Sequence, residues 1–177
     1  MNYLGIDKSS ISNGPGVRVV LWVAGCTCRC KECQNPESWD FNAGILFDEV
    51  AKQKLFNALY KPYIRGISIS GGHPLENKNV EDVYLLIQEI KEKFPTKDIW
   101  LYTGYTWEQI FTPVCMDMFN VNNIYRKKVV EMCDVLVDGP YIEEQRDITL
   151  KFMGSKNQRL IDVKETLNQG TIVTIQN

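Results

Sequence analysis

The sequence predicts an α/β domain built on a mostly parallel sheet, and three observations carry that prediction. Short apolar runs alternate with amphipathic segments through most of the chain, the pattern of crossover units on a parallel sheet. The first run, residues 17–24, is apolar at nearly every position except Arg18, which suits a strand covered on both faces. Four runs end in glycine beside a polar or ligating residue: Gly25-Cys26, Gly71-Gly72-His73, Thr103-Gly104 and Asp138-Gly139. Ligands gather at such carboxyl ends in open parallel sheets, and glycine lets backbone approach a small molecule closely.

The turn formers Asn13-Gly14-Pro15-Gly16 make a tight loop into the strand at 17–24. After a cysteine-rich loop, residues 35–44 carry Trp39 and Phe41, read as lid or core packing. Residues 47–60 place Val50, Leu55, Phe56 and Leu59 at helical spacing, with Asp48 and Glu49 at the end that favours negative charge. A strand at 66–70, a helix at 80–94 stopped by Pro95, and a strand at 99–102 follow. Residues 107–132 are mixed, with a helix from about 122 onward. A strand at 134–138 comes next, then two more at 159–163 and 171–175 joined by a turn at 168–170. No repeat, low-complexity segment or linker divides the chain, so residues 1–177 read as a single domain.

Composition excludes several classes. Hydrophobic residues make up 44% of the chain, close to the roughly 45–50% of ordinary globular proteins. No apolar run approaches the ~20 residues that span a bilayer. A formal net charge of -2 and one compact basic run, Arg126-Lys127-Lys128, argue against a nucleic-acid partner. The expectation is a soluble cytoplasmic protein whose free cysteines serve metal or redox chemistry.

Four of the six cysteines fall in Cys26-Thr27-Cys28-Arg29-Cys30-Lys31-Glu32-Cys33. Cys26, Cys30 and Cys33 are spaced to grip three corners of an iron-sulfur cube, leaving one iron open and Cys28 as a bystander. The residues alone also allow a structural zinc loop closed by Cys28 as fourth ligand. Disulfides at this density would close only tiny loops.

With these residues in view the chain resembles the radical S-adenosylmethionine superfamily, and within it the activating proteins of the anaerobic, class III ribonucleoside-triphosphate reductases. The resemblance rests on Asn13-Gly14-Pro15-Gly16-Val17-Arg18, the cysteine triad with Asn35 behind it, and Ser70-Gly71-Gly72. It continues through residues 99–105, Val137-Asp138-Gly139 and Gly154-Ser155-Lys156-Asn157-Gln158. It implies a partial, open β/α barrel, because the chain is too short for the ~250 residues of a full eight-unit barrel.

The resemblance also implies an oxidoreductase mechanism. Cys26, Cys30 and Cys33 would hold a 4Fe-4S cluster whose fourth iron is chelated by S-adenosylmethionine. An electron delivered by a donor such as flavodoxin would split the sulfonium to methionine and a 5'-deoxyadenosyl radical. That radical would take a hydrogen atom from a glycine of the partner reductase. Glu32, Gln34 and Asn35 would contact the nucleoside, while Gly71, Gly72 and His73 would meet the methionine end; no catalytic side chain beyond cluster and cosubstrate is implied. Another glycyl-radical activase, or a small radical enzyme with a different substrate, is the alternative within the superfamily.

Three departures from the family pattern stand out. His73, the only histidine, occupies the place of an acid that pairs with the methionine ammonium, so weaker binding that worsens as the ring protonates is expected. Gln34 replaces an aromatic residue, and Met153 replaces an arginine. Cys133 reads as a core residue, and Cys115 has no assigned role.

Overall fold

The computed structural model describes residues 1–112 and 120–176. Seven strands form one open sheet: β1 (Asn2–Ser10), β2 (Val17–Val23), β3 (Ile45–Leu46), β4 (Ile64–Gly71), β5 (Asp98–Tyr102), β6 (Val135–Asp138) and β7 (Arg159–Asp162). Their order is β3-β1-β2-β4-β5-β6-β7. The central four, β2, β4, β5 and β6, are parallel and follow chain order. The outer strands pair antiparallel. Among the described residues the sheet does not close.

Among the described residues five α-helices accompany it: α1 (Glu49–Leu59), α2 (Val80–Lys93), α3 (Trp107–Phe111), α4 (Val121–Met132) and α5 (Val163–Gln169). All contribute to one apolar core on one sheet face, where Val19, Leu21, Ile67, Ile69, Ile99, Leu101 and Leu136 meet Leu55, Ile87, Ile110, Val130 and Val163. Strand alternation sends the intervening side chains to the reverse face, where Trp100, Val135, Val137 and Leu160 form a smaller cluster. The expectation that β2 is covered on both sides holds, since Arg18, Val19, Val20 and Leu21 are all fully buried.

Capping fixes where the helices begin. Asp48 Oδ1 accepts the Ala51 N–H at 2.8 Å, starting α1. Thr106 and Gln109 form a reciprocal capping box that starts α3. None of the helices among the described residues is long and apolar enough to cross a membrane.

The expected strand at 171–175 is not formed. Asp162 caps α5 by accepting the Glu165 N–H at 2.9 Å, and Gly170 at φ 68 ends that helix in a left-handed turn. Residues beyond it meet β7 only through an isolated bridge between Ile161 and Thr174. Val163, read as the end of a strand, therefore opens a helix, and 168–170 is the helix end rather than a hairpin turn. Strand β1, bulged and largely polar at the sheet's margin, is an addition to the sequence reading.

The amino ends of the parallel strands are fastened by Arg18. Its guanidinium pairs with Asp98 Oδ1 at 2.5 Å, and its Nε and Nη2 donate to Ser68 Oγ (2.9 Å) and Ile67 O (2.8 Å). The group lies 5.3 Å from the Trp100 ring centre. Ser68 Oγ donates onward to Asn13 O at 2.5 Å, which ties the turn at 13–16 beneath the sheet.

Candidate metal centre

The thiol loop is held by its neighbours rather than by its own bonds. Beyond β2, the Gly25 and Cys26 N–H groups donate to Ser38 O (2.7 Å) and Trp39 O (3.1 Å). Inside the loop Arg29 and Glu32 adopt φ 45 and 55, and Cys33 N donates to Cys30 O at 3.2 Å. The Asn35 N–H points at Cys33 Sγ, 3.4 Å away. Phe41 packs on Gly25 and Arg29 stacks over Trp39 at 5.8 Å, so both aromatics brace the loop as the lid-or-packing reading anticipated.

The end of β4 is stitched to the same place. Gly72 N donates to Val23 O (2.7 Å) and His73 N to Gly25 O (2.8 Å). Gly71 sits at φ 102, and a β-carbon there would come within 2.6 Å of Val23 O, so the close approach of these strand ends needs glycine. Buried Asn79 locks the junction by donating to Ala24 O (2.8 Å) and His73 O (3.1 Å).

Above these ends lies a cleft of about 390 Å³, within the range of small-molecule sites. Cys26, Cys28, Cys30, Cys33, Gln34 and Asn35 line it from the loop, and Gly71, Gly72 and His73 from the end of β4. Thr103, Gly104 and Gly139 complete the strand-end rim, with Tyr141, Leu150, Phe152 and Met153 beyond. Glu32 is exposed and is not among the lining residues. Cys133 is buried, its Sγ donating to Val129 O at 3.1 Å, as expected of a core thiol. Cys115 lies outside the described residues.

His73 is neither exposed nor free. Its Nε2 is 2.7 Å from Thr103 Oγ1, and its Nδ1 is 3.3 Å from Glu76 Oε1 and 3.7 Å from Cys28 Sγ. Glu76 also accepts from Thr27 N (2.9 Å) and Thr27 Oγ1 (2.5 Å). Burial disfavours its charge, but the hydrogen bonds from His73 and Thr27 outweigh burial and hold the carboxyl at about 2. With His73 in place this strand end still carries negative charge, because the Glu76 carboxylate three residues on stands behind the ring. Thr103 was read as a polar strand end, though not as a partner of His73, and Glu76 escaped the sequence reading; the spacing His73-Pro74-Leu75-Glu76 after a glycine pair was the available signal.

The thiols differ among themselves. A hydrogen bond from Cys28 lowers Cys26 to about 6, despite burial, while that bond and burial push Cys28 up. Burial raises Cys30, opposed by a backbone hydrogen bond from Tyr141. Cys26, Cys28, His73 and Glu76 bring their ligating atoms within 4.8 Å of one another; Cys30 and Cys33 stand outside that group. A single-ion site closed by all four loop cysteines is thus not what the fold builds.

The late motif has a mechanical role. Gln158 Oε1 accepts from Gly154 N (2.8 Å), and its Nε2 donates to Gly139 O (3.0 Å). Asn157 Nδ2 donates to Pro140 O at 2.7 Å. These side chains bind the segment at 150–158 to the end of β6 and so form the far side of the cleft.

A model of a 4Fe-4S single cluster domain matches residues 12–161. The chain is 39% identical to the anaerobic ribonucleoside-triphosphate reductase-activating protein of Haemophilus influenzae, covering 89% of this chain and 96% of that one. The proteins of the same name from Escherichia coli K12 and Enterobacteria phage T4 are 37% and 38% identical, covering 96% and 93% of their lengths. The chain belongs to this family of reductase-activating proteins. Its membership gives the cleft a test: the ligands of a cube attach to different irons, so they must face one cavity without meeting at one point. Cys26, Cys30 and Cys33 all line the cleft and do not converge. As part-exposed free thiols they are the donors an iron-sulfur cluster takes, and the residues fit the group.

Proposed function

We propose that this chain is the activase of an anaerobic ribonucleoside-triphosphate reductase, working with one 4Fe-4S cluster and S-adenosylmethionine. The observation that carries the reading is the trio Cys26, Cys30 and Cys33 on a cleft at the carboxyl ends of the parallel strands, in a chain of this family. The open sheet, four parallel strands in chain order with helices on one face, is read as the partial barrel of the radical S-adenosylmethionine type, with residues 1–177 as one domain.

When bound, the cluster would supply the one-electron chemistry that cleaves S-adenosylmethionine and so lets the reductase gain its glycyl radical. The protein's part is positioning and exclusion of water. Cys26, Cys30 and Cys33 would hold the cluster. Gly71 and Gly72 offer backbone to the methionine end, and the His73–Glu76 pair stands where its ammonium would lie. Gln34 and Asn35, which line the cleft, serve the nucleoside, Gln34 by hydrogen bonding in place of an aromatic face, and the side chain of Glu32 stays outside it. An open-sided cleft suits a protein substrate, whose own surface covers the mouth. The site of action is the cytoplasm, with a flavodoxin-type donor supplying electrons.

The test is anaerobic reconstitution with iron and sulfide, followed by incubation with reductant, S-adenosylmethionine and a class III reductase. A glycyl radical in the electron paramagnetic resonance spectrum is the expected result. A colourless protein, or a brown one that leaves the reductase without a radical, overturns the reading.

A further inference from the structure

The convergent group at the end of β4 has the dimensions of a mononuclear metal site. Zinc bonds of about 2.3 Å to sulfur, 2.0–2.1 Å to nitrogen and 2.0–2.2 Å to oxygen, arranged tetrahedrally, set donor atoms roughly 3.3–3.8 Å apart. The Cys28 Sγ to His73 Nδ1 distance of 3.7 Å and the His73 Nδ1 to Glu76 Oε1 distance of 3.3 Å fall in that range. With Cys26, all four ligating atoms lie within 4.8 Å of one another. Hydrogen bonds already orient these side chains: Thr103 Oγ1 lies 2.7 Å from His73 Nε2, which the Gly104 N–H also approaches at 3.3 Å, and Thr27 N and Oγ1 donate to Glu76 Oε1, the same oxygen that faces His73 Nδ1. His73 and Glu76 are buried, so the site is built rather than assembled from mobile surface groups.

We propose that in the cluster-free protein Cys26, Cys28, His73 and Glu76 bind one zinc-class divalent cation. Two thiolates, an imidazole and a carboxylate are a donor set that borderline-soft ions of tetrahedral preference take. Cys28, which the cluster does not use, thereby acquires a function. If the cluster takes Cys26 and leaves Cys28 aside, the two metals exclude each other; this exclusion and the spare role of Cys28 rest on the function proposed above, and the cation site itself does not. Zinc would tie the thiol loop to the end of β4 and would have to leave before the cluster is complete.

The experiment titrates reduced, cluster-free protein with Co²⁺ under anaerobic conditions and then displaces it with Zn²⁺. One Co²⁺ per chain is expected, with thiolate-to-cobalt charge transfer and the visible bands of tetrahedral coordination, bleached by zinc. Thr103→Ala should weaken binding about 10–100-fold, the usual effect of losing an outer hydrogen bond. Cys28→Ala and His73→Ala should weaken it by more than about 100-fold, beyond that range. Cys30→Ala and Cys33→Ala should leave it unchanged. Circular dichroism checks folding, with Glu76→Gln as the milder variant should a replacement fail to fold. Absence of the charge-transfer band, or equal losses in the Cys30 and Cys28 variants, overturns the site. In a second arm, zinc loading should slow reconstitution with iron and sulfide in wild type but not in Cys28→Ala. Zinc that binds as expected yet does not slow reconstitution overturns the sharing of Cys26 while leaving the site itself standing.

Discussion

The two ends of the parallel sheet handle polar groups in opposite ways. At the amino ends, buried Arg18 is matched by Asp98, Ser68 and backbone carbonyls, and stacked beside Trp100. At the carboxyl ends the thiols of Cys26, Cys30 and Cys33 are free and part-exposed, and glycines hold space open around them. One end spends its polar groups on one another; the other keeps them available. The comparison teaches that buried charge here fastens strands, whereas the cluster thiols stand at the opposite end, part-exposed on the cleft.

Breaking the amino end should have the largest effect on stability. Arg18→Ala removes one of the two cations on the partly buried Asp98, Arg65 Nε remaining 2.9 Å from Oδ2, and takes the donors from Ser68 Oγ and Ile67 O; removal of one member of a buried pair costs about 3–5 kcal/mol, and the lower end of that range is expected. Urea unfolding of cluster-free protein measures this; a loss below about 1 kcal/mol would show that the pair does not fasten the sheet. At the carboxyl end the same assay should barely respond to Cys30→Ala, a part-exposed site. That variant should instead lose the brown cluster absorbance and at least about 100-fold in glycyl radical yield, a factor worth ~2.7 kcal/mol. Cys28→Ala should keep the absorbance, and its loss would bring Cys28 into the cluster.

How far the sequence displayed these two ends differs as well. The parallel strands were legible because β2, β5 and β6 are apolar runs and β4 alternates, each running into glycine, and the cysteine triad because its spacing is chemical. Helix α5 was missed because its seven residues, Val163–Gln169, are too few to show a helical stripe. Strand β1 was missed because a bulged marginal strand lacks strict alternation. Most of the site's second layer lay beyond reach: Thr103 meets His73 across 30 positions and Asn79 meets Ala24 across 55, contacts that only the fold creates.

Asn79→Ala sharpens the comparison, since it sits between the thiol loop and the core. It leaves the Ala24 carbonyl without its donor, while His73 O keeps the Glu76 N–H at 3.1 Å, a cost of about 1–3 kcal/mol. The effect should appear first as faster hydrogen exchange at residues 24–26 and 72–73, with the amino end unchanged; uniform acceleration would mean that the two ends are not separable.

The smallest effect concerns acid. The side-chain hydrogen bond from Arg159 lowers the Glu108 carboxyl to about 2 from an ordinary 4.5. A carboxyl depressed in the folded state stabilises above about pH 4.5, and that contribution fades as pH falls toward 2. Glu108 is 55% exposed along its side chain, so solvent screening leaves well under ~1 kcal/mol. Glu108→Gln should therefore flatten the acid limb of the stability curve only slightly. A large change would mark the pair as more than a surface contact.

Arg18 has one more implication. A chassis bolted together by charge at its base does not need metal to keep its shape. Preparations stripped bare and preparations fully loaded should superpose from the turn at 13–16 up to Ser68, with every difference gathered in the rim above. A maturation apparatus that inserts iron would then meet a rigid socket and rearrange only its lip.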